Sequence, residues 1–109
     1  MQTSESINAT CPECRGPLSL ERTDDLVQIT CLVGHTYSPR ALLYAHNEAE
    51  EKALWAAAVA LRETTELVNS LRGCFPAEVS ERLQRQVEKK QHQSAIVEEI
   101  IENLETFEP

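Results

Sequence analysis

The sequence predicts a small α+β fold, in which a β-hairpin precedes a long antiparallel α-helical hairpin. Three observations favour this class: two close Cys or Cys/His pairs before position 38, alternating apolar and polar residues between them, and a long run without Gly or Pro after Pro39. The 109 residues suffice for one small domain or two very small pieces. We expect a flexible N-terminus at 1–9, a ribbon at 10–38 and a helical hairpin at 39–106.

The ribbon is predicted from two short strand patterns. Leu18–Arg22 alternates apolar and polar residues as a half-buried strand does, and Leu26–Thr30 is the return strand. Between them Thr23-Asp24-Asp25 is turn material. The return strand therefore delivers Cys31 next to the loop that begins at Cys11. The polar, small residues at 1–9 predict a flexible lead-in.

The pairs form the pattern C-x2-C, sixteen residues, then C-x3-H, with candidate ligands Cys11, Cys14, Cys31 and His35. Three thiolates and one imidazole suit tetrahedral zinc, and four protein ligands close the coordination sphere, so we expect one structural Zn²⁺ per chain. Zinc binding is worth about 10–16 kcal/mol in comparable peptides, which would supply most of the folding free energy of so short a ribbon. We expect Gly16 to adopt a positive φ that lets backbone N–H groups point at the thiolates.

The Cys pairs have two alternative interpretations. A C-x2-C pair can be a redox dithiol, but such motifs belong to a βαβ context that the pattern here lacks. Iron in a rubredoxin-like loop is the other alternative, and it favours a fourth cysteine over His35.

Helix signals begin where the ribbon ends. Ser38 and Pro39 are a typical N-cap and first helical residue, and they open a predicted helix over about 39–72. Gly73-Cys74-Phe75-Pro76 ends it, and a second helix is predicted over about 77–106. So short a connection favours antiparallel packing of the two helices.

Each predicted helix carries one main apolar row with further apolar residues beside it. On the first helix the main row is Leu42, Ala45, Ala49, Ala53, Ala56, Ala60, Leu67 and Leu71, flanked by Leu54, Leu61 and Val68. On the second it is Val79, Leu83, Val87, Val97, Ile101 and Leu104, flanked by Ile96 and Ile100. Two helices cannot enclose both rows, so we expect a homodimer in which two hairpins form a four-helix bundle.

Charge and hydropathy limit the partners. With 18 acidic and 10 basic residues the net charge is −8, which repels phosphate backbones and disfavours nucleic acid. No apolar run approaches the ~18 residues of a membrane span, so we expect no membrane partner. The N-terminus does not resemble a signal peptide, and we expect a cytoplasmic location, where clustered cysteines favour metal over disulfides.

A family resemblance covers the chain from Cys11 to about Leu104. The stretch Cys31–Pro39, followed by Ala53-Leu54-Trp55-Ala56-Ala57, resembles the C-terminal extension of some CheB-type chemotaxis protein-glutamate methylesterases. Those extensions carry a Cys-x-x-Cys loop, a Cys-Arg-Val-Gly-His-Ala-Tyr-Ser-type stretch, an Ala-Leu-Trp-Ala-rich helix and a second, charged helix. Leu32 stands where the family commonly has Arg.

The resemblance implies that Cys11, Cys14, Cys31 and His35 occupy the family's four metal-like positions. Ester hydrolysis does not carry over, because the chain holds no G-x-S-x-G elbow and no counterpart of the esterase domain, so we expect no enzyme. The implied function is a non-enzymatic adaptor or regulator in bacterial chemosensory or two-component signalling, with an unidentified protein partner of the chemosensory or response-regulator class.

The alternative function is a nucleic-acid-binding zinc ribbon that acts in transcription. It would need a basic face, and the candidates Arg82, Arg85, Lys89 and Lys90 cluster on the second helix. Acidic residues surround them, so the sequence favours the adaptor function.

Overall fold

A computed structural model of the chain describes residues 2–105. It consists of a four-stranded antiparallel sheet, two long helices and a short helical turn between them, which confirms the predicted α+β class and the helical hairpin. The described residues form two compact units, the first ending at Ala49 and the second covering Glu50–Glu105.

The sheet of the first unit is a simple meander. Its strands are β1 (Gln2–Thr10), β2 (Pro17–Thr23), β3 (Leu26–Cys31) and β4 (Thr36–Tyr37), in the spatial order β1-β2-β3-β4 with every neighbour antiparallel. Strands β2 and β3 are the predicted hairpin, with Thr23 opposite Leu26. The turn between them needs a positive φ, which Asp24 supplies at 54°, a conformation that Asp tolerates better than most residues.

The N-terminus differs from the expectation. The prediction that residues 1–9 are flexible is wrong for residues 2–9, which belong to β1. This strand pairs with β2, from Gln2 opposite Thr23 to Ile7 opposite Leu18. Met1 lies outside the described residues. The segment is too polar to be predicted as a strand from its sequence. Its backbone nevertheless pairs with the backbone hydrogen-bonding groups at the edge of β2, and Ile7 packs against the core.

The core of the first unit is small and contains ligand candidates. Its buried members are Cys11, Leu18, Ile29, Cys31 and Tyr37. Ile7, Cys14 and Leu20 of the sheet region pack against it, together with Leu42 and Ala45 from the first turns of the following helix. Such a core buries little apolar area, so it needs a further source of stability.

The first long helix, α1, spans Pro39–Leu71 and starts as predicted. The Ser38 hydroxyl accepts a hydrogen bond from the N–H of Ala41 at 3.1 Å, which is an N-cap contact. A single 3₁₀ turn (Arg72–Cys74) follows, and the second helix, α2, spans Ala77–Glu102. It ends earlier than expected, at Glu102, and the side-chain amide of its C-cap residue Asn103 donates to the carbonyl of Glu99 at 2.9 Å. The predicted end at residue 106 lies outside the described residues.

Within the second unit the helices are antiparallel. Arg72 near the end of α1 donates a hydrogen bond to Gln84 near the start of α2 at 2.7 Å, and Arg62 lies 3.9 Å from Glu98. The residues between the helices form what we call the inner rows. On α1 they are Leu54, Ala58, Leu61, Thr65 and Val68, and on α2 they are Leu83, Val87, Ser94, Val97 and Ile101, with Leu104 just after the end of α2.

The inner row of α1 is not the main row of the sequence pattern. Ala53, Ala56, Ala60, Leu67 and Leu71 are exposed, whereas their neighbours in the flanking row are covered. Both rows have helical spacing, so the sequence pattern favours the row that contains more apolar residues. The inner row includes Ala58 and Thr65, which the pattern did not single out.

None of the helices in the described range is both long enough and apolar enough to cross a lipid bilayer.

We predict that Thr65→Val stabilises the helical hairpin. The Thr65 hydroxyl is buried without a hydrogen-bond partner, so replacing it with a methyl group of the same shape should raise the free energy of unfolding by about 1 kcal/mol. Urea unfolding followed by circular dichroism at 222 nm measures the change.

The neighbouring Thr64 provides a matched control. Its hydroxyl already donates to the carbonyl of Ala60 at 3.1 Å, so Thr64→Val should not stabilise the protein. Equal effects of the two substitutions, or destabilisation by Thr65→Val, would show that the buried hydroxyl carries no penalty.

Candidate metal centre

The first Cys pair sits in a tight turn that follows β1. The N–H of Arg15 donates to the carbonyl of Cys11, and the N–H of Cys11 donates to the carbonyl of Gly16, both at 2.8 Å. These bonds close the loop, so Cys11 and Cys14 present their sulfurs on the same side.

The role of Gly16 differs from the expectation. The positive φ in this loop belongs to Arg15, at 64°, and the prediction for Gly16 is wrong. A Cβ atom at position 16 would lie 3.3 Å from the sulfur of Cys14, tighter than most real contacts. Glycine is therefore needed here for the close approach of a ligand atom, not for its backbone freedom.

The second pair sits in the loop between β3 and β4. Cys31 ends β3 and its N–H donates to the carbonyl of His35 at 3.1 Å, while the N–H of Gly34 donates back to Cys31 at 3.2 Å. Gly34 has φ 108°, which other residues rarely adopt. The N–H of His35 also points at the Cys31 sulfur, 3.3 Å away.

The two loops bring all four sequence-predicted ligands together. Donor atoms of Cys11, Cys14, Cys31 and His35 all lie within 4.8 Å of one another. The Cys14 and Cys31 sulfurs are 3.6 Å apart, and Nδ1 of His35 lies 3.3 Å from the Cys31 sulfur and 3.7 Å from that of Cys11. The fourth cysteine, Cys74, is exposed in the turn of the second unit and lies outside this cluster.

These distances fit a tetrahedral ion. Zn–S bonds of ~2.3 Å and Zn–N bonds of ~2.0–2.1 Å place neighbouring tetrahedral ligands about 3.8 Å apart for two sulfurs and about 3.6 Å apart for sulfur and nitrogen. Three of the six separations, Cys14–Cys31, Cys31–His35 and Cys11–His35, lie within about 0.3 Å of these values. All six are at most 4.8 Å, so the four side chains are near enough to one another to share one ion.

Two further residues support the ligands, and the sequence reasoning missed both. Nε2 of His35 lies 2.9 Å from a carboxylate oxygen of Glu13, which fixes the ring so that Nδ1 faces the sulfurs. The buried hydroxyl of Tyr37 lies 3.5 Å from the Cys11 sulfur. The sequence signal that could have identified them is their position, since Glu13 stands between two candidate ligands and Tyr37 comes two residues after the last one.

Backbone N–H groups favour thiolate at two of the sulfurs. Burial raises the pKa of Cys31, but the N–H groups of His35 and Val33 oppose it, and the net effect lowers that pKa to about 6. Burial likewise raises the pKa of Cys11, and hydrogen bonds from Tyr37 and from the N–H groups of Cys14 and Glu13 outweigh it, so this pKa is also lowered.

The pKa values of the other two candidate ligands, Cys14 and His35, are raised. The N–H of Gly16 lowers the pKa of Cys14, but burial and the neighbouring thiols of Cys31 and Cys11 raise it more. The hydrogen bond to Cys31 raises the pKa of His35 against its burial, with further help from the charge of Glu13. A cation bound here would displace the proton of the Cys14 thiol, because metal ligands bind in their deprotonated form.

Comparisons with protein-family models, with curated proteins and with solved structures gave no match. The resemblance to the methylesterase extensions therefore stays a prediction from the sequence.

We predict that Glu13→Gln weakens metal binding without removing it. Loss of the carboxylate that orients and polarises His35 should lower zinc affinity roughly tenfold, the lower end of the range for such supporting groups. Competition with a chromophoric chelator measures the affinity. Glu21→Gln is the matched control, because Glu21 pairs with Thr30 in the same sheet and touches no ligand. Equal affinities of the two variants would contradict a supporting role for Glu13.

Proposed function

We propose that the chain is a non-enzymatic protein-interaction module whose first unit is held together by one structural Zn²⁺. The observation that carries the proposal is the convergence of three sulfurs and one imidazole nitrogen within 4.8 Å of one another. Cys₃His is a ligand set typical of structural zinc.

The energetics of the first unit favour a metal as its stabilising element. Two of its five buried core residues, Cys11 and Cys31, are themselves candidate ligands. An apolar core this small contributes little, whereas zinc binding in comparable peptides contributes about 10–16 kcal/mol. Zinc therefore takes the place of the missing hydrophobic core.

A structural role follows from the number of donors. Catalytic zinc keeps a coordination position for water or substrate, whereas four protein ligands fill a tetrahedron. Backbone N–H groups aimed at Cys31 and Cys11 favour the thiolate form and stabilise a negatively charged zinc centre. The proposed role of the ion is to hold the two loops together.

The surface beside the site supports a role in protein contact. Leu32 and Val33, at the tip of the second loop, are 85% and 74% exposed. Two adjacent apolar side chains held out by a loop between ligands form a small, rigid contact point. The likeness to methylesterase extensions sets this contact in bacterial chemosensory or two-component signalling, in the cytoplasm, with a response-regulator component as partner.

We predict that Cys14→Ser and His35→Ala each abolish stoichiometric zinc and unfold the sheet. The helix signal in circular dichroism should be retained in large part, because most helical residues belong to the second unit. Elemental analysis of the dialysed protein measures the zinc.

The control is Cys74→Ser, which should keep one zinc per chain because Cys74 lies outside the cluster. Stoichiometric zinc in both ligand variants would overturn the proposed ligand set, and an ordered sheet without any metal would overturn the structural role.

We further predict that Leu32→Glu combined with Val33→Glu abolishes partner binding while zinc is retained. Calorimetric titration against purified receiver domains of the same chemosensory system measures the binding. Leu26→Glu is the control, since Leu26 is also exposed, at 57%, but lies at the opposite end of β3. No binding by the zinc-loaded natural chain, or full binding by the double variant, would refute the proposed contact.

A further inference from the structure

The helix α1 carries a second apolar row that α2 does not cover. This outer row lies one residue before each member of the inner row and extends one step further, to Leu71, with the same four-and-three spacing. It consists of Ala53, Ala57, Ala60, Thr64, Leu67 and Leu71. None of its members is charged, and Leu67 and Leu71 are 59% and 45% exposed. A helix with two adjacent apolar rows is suited to contact two neighbouring helices.

The helix α2 has a matching outer row one residue before its own inner row. Over its second half this row consists of Gln93, Ile96, Ile100 and Asn103, again without a charge. Ile96 and Ile100 are 44% and 46% exposed.

Both outer rows lie on the same side of the hairpin. In two antiparallel helices, residues one position before the contact row point to one side of the pair and residues one position after it point to the other. Arg62 and Glu98 each come one position after an inner-row residue, and their ion pair marks the second side. The outer rows therefore share the first side, which we call the open face.

The open face is large for a surface left to solvent. Its exposed apolar side chains amount to on the order of 500 Å² per chain, near the upper end for a typical monomer. Two such faces together would bury on the order of 1,000 Å², which is the lower limit expected of a specific interface.

We propose that the open face binds the open face of a second copy of this chain, so that two hairpins form a four-helix bundle. The face is two helices wide, and a second hairpin offers a surface of the same width and apolar character. A two-fold axis lets each outer row contact the other copy with the same residues. Alanines at 53, 57 and 60 allow the close helix approach that such a bundle requires.

Charge selects the relative direction of the two copies. Arg82, one position before Leu83, extends the outer row of α2 into its first half, whereas the second half of that row is uncharged. Two hairpins aligned in the same direction would bring Arg82 of both copies to the same end of the interface. Opposite directions separate these like charges, which is the favourable arrangement. The matching width and apolar character of the two faces, and the area that they bury together, favour a second copy as the occupant.

The proposal does not depend on the metal centre, because the open face lies within the second unit. It concerns the zinc-loaded full chain, in a Cys74→Ser background that prevents disulfide-linked copies through the exposed thiol.

Sedimentation equilibrium and light scattering at about 5 to 100 μM test the proposal, since the mass of a self-associating protein depends on concentration. The expected result is twice the chain mass of 12.3 kDa. Leu67→Glu and Ile96→Glu should each raise the dissociation constant at least about 100-fold, because each places an unpaired charge in the interface.

Matched controls lie on the same helices but away from the open face. Val59→Glu on α1 and Ala95→Glu, the immediate neighbour of Ile96 on α2, add the same charge elsewhere and should leave the dimer intact. Circular dichroism at 222 nm shows whether each variant keeps its helices.

Two outcomes overturn the proposal. One is the single-chain mass for the natural sequence throughout this range, which would leave the face to another protein or to a lipid surface. The other is a dimer that the control substitutions disrupt as much as the open-face substitutions do. Dissociation by the open-face variants alone, with helix content retained, supports it.

Discussion

The first unit depends on one constraint: three sulfurs and one imidazole nitrogen must occupy the same small volume. Burial raises the pKa of each of these thiols, and at Cys14 the neighbouring thiols raise it further, so that its pKa is raised overall. A divalent ion would turn the same crowding into four bonds. The two loops and the small core bring these donors together, and Cys11 and Cys31 are both core residues and candidate ligands.

The ligands are held in place by the backbone as much as by the side chains. The β2–β3 register places Cys31 opposite Leu18, and the loop after it turns on Gly34 so that N–H groups point at the sulfur. Gly16 leaves room for the sulfur of Cys14, and Glu13 and Tyr37 contact His35 and Cys11. Such supporting contacts set ligand orientation and basicity, so the site extends beyond its four ligands.

The second unit rests on apolar packing instead. Its inner rows cover each other, but a pair of helices has only one shared interface, so the remaining apolar row of each helix stays at the surface. One feature of the interface is suboptimal: Thr65 and Ser94 place hydroxyl groups where apolar side chains would pack. The apolar row that stays at the surface is the part of the hairpin on which the proposed dimer depends.

Local signals in the sequence determined a great deal. The spacing of Cys11, Cys14, Cys31 and His35 identified the cluster, alternation identified β2 and β3, and Ser38-Pro39 identified the start of α1, because each of these depends on neighbours in the chain. Only the tertiary structure decided the rest. Strand β1 forms because β2 offers an edge, Glu13 and Tyr37 matter because folding brings them to the ligands, and the row of α1 that meets α2 depends on how two helices pack. A periodic pattern shows which residues share a face of a helix, but it does not show which face meets a neighbouring element. Tertiary packing decides between faces that the pattern leaves equivalent.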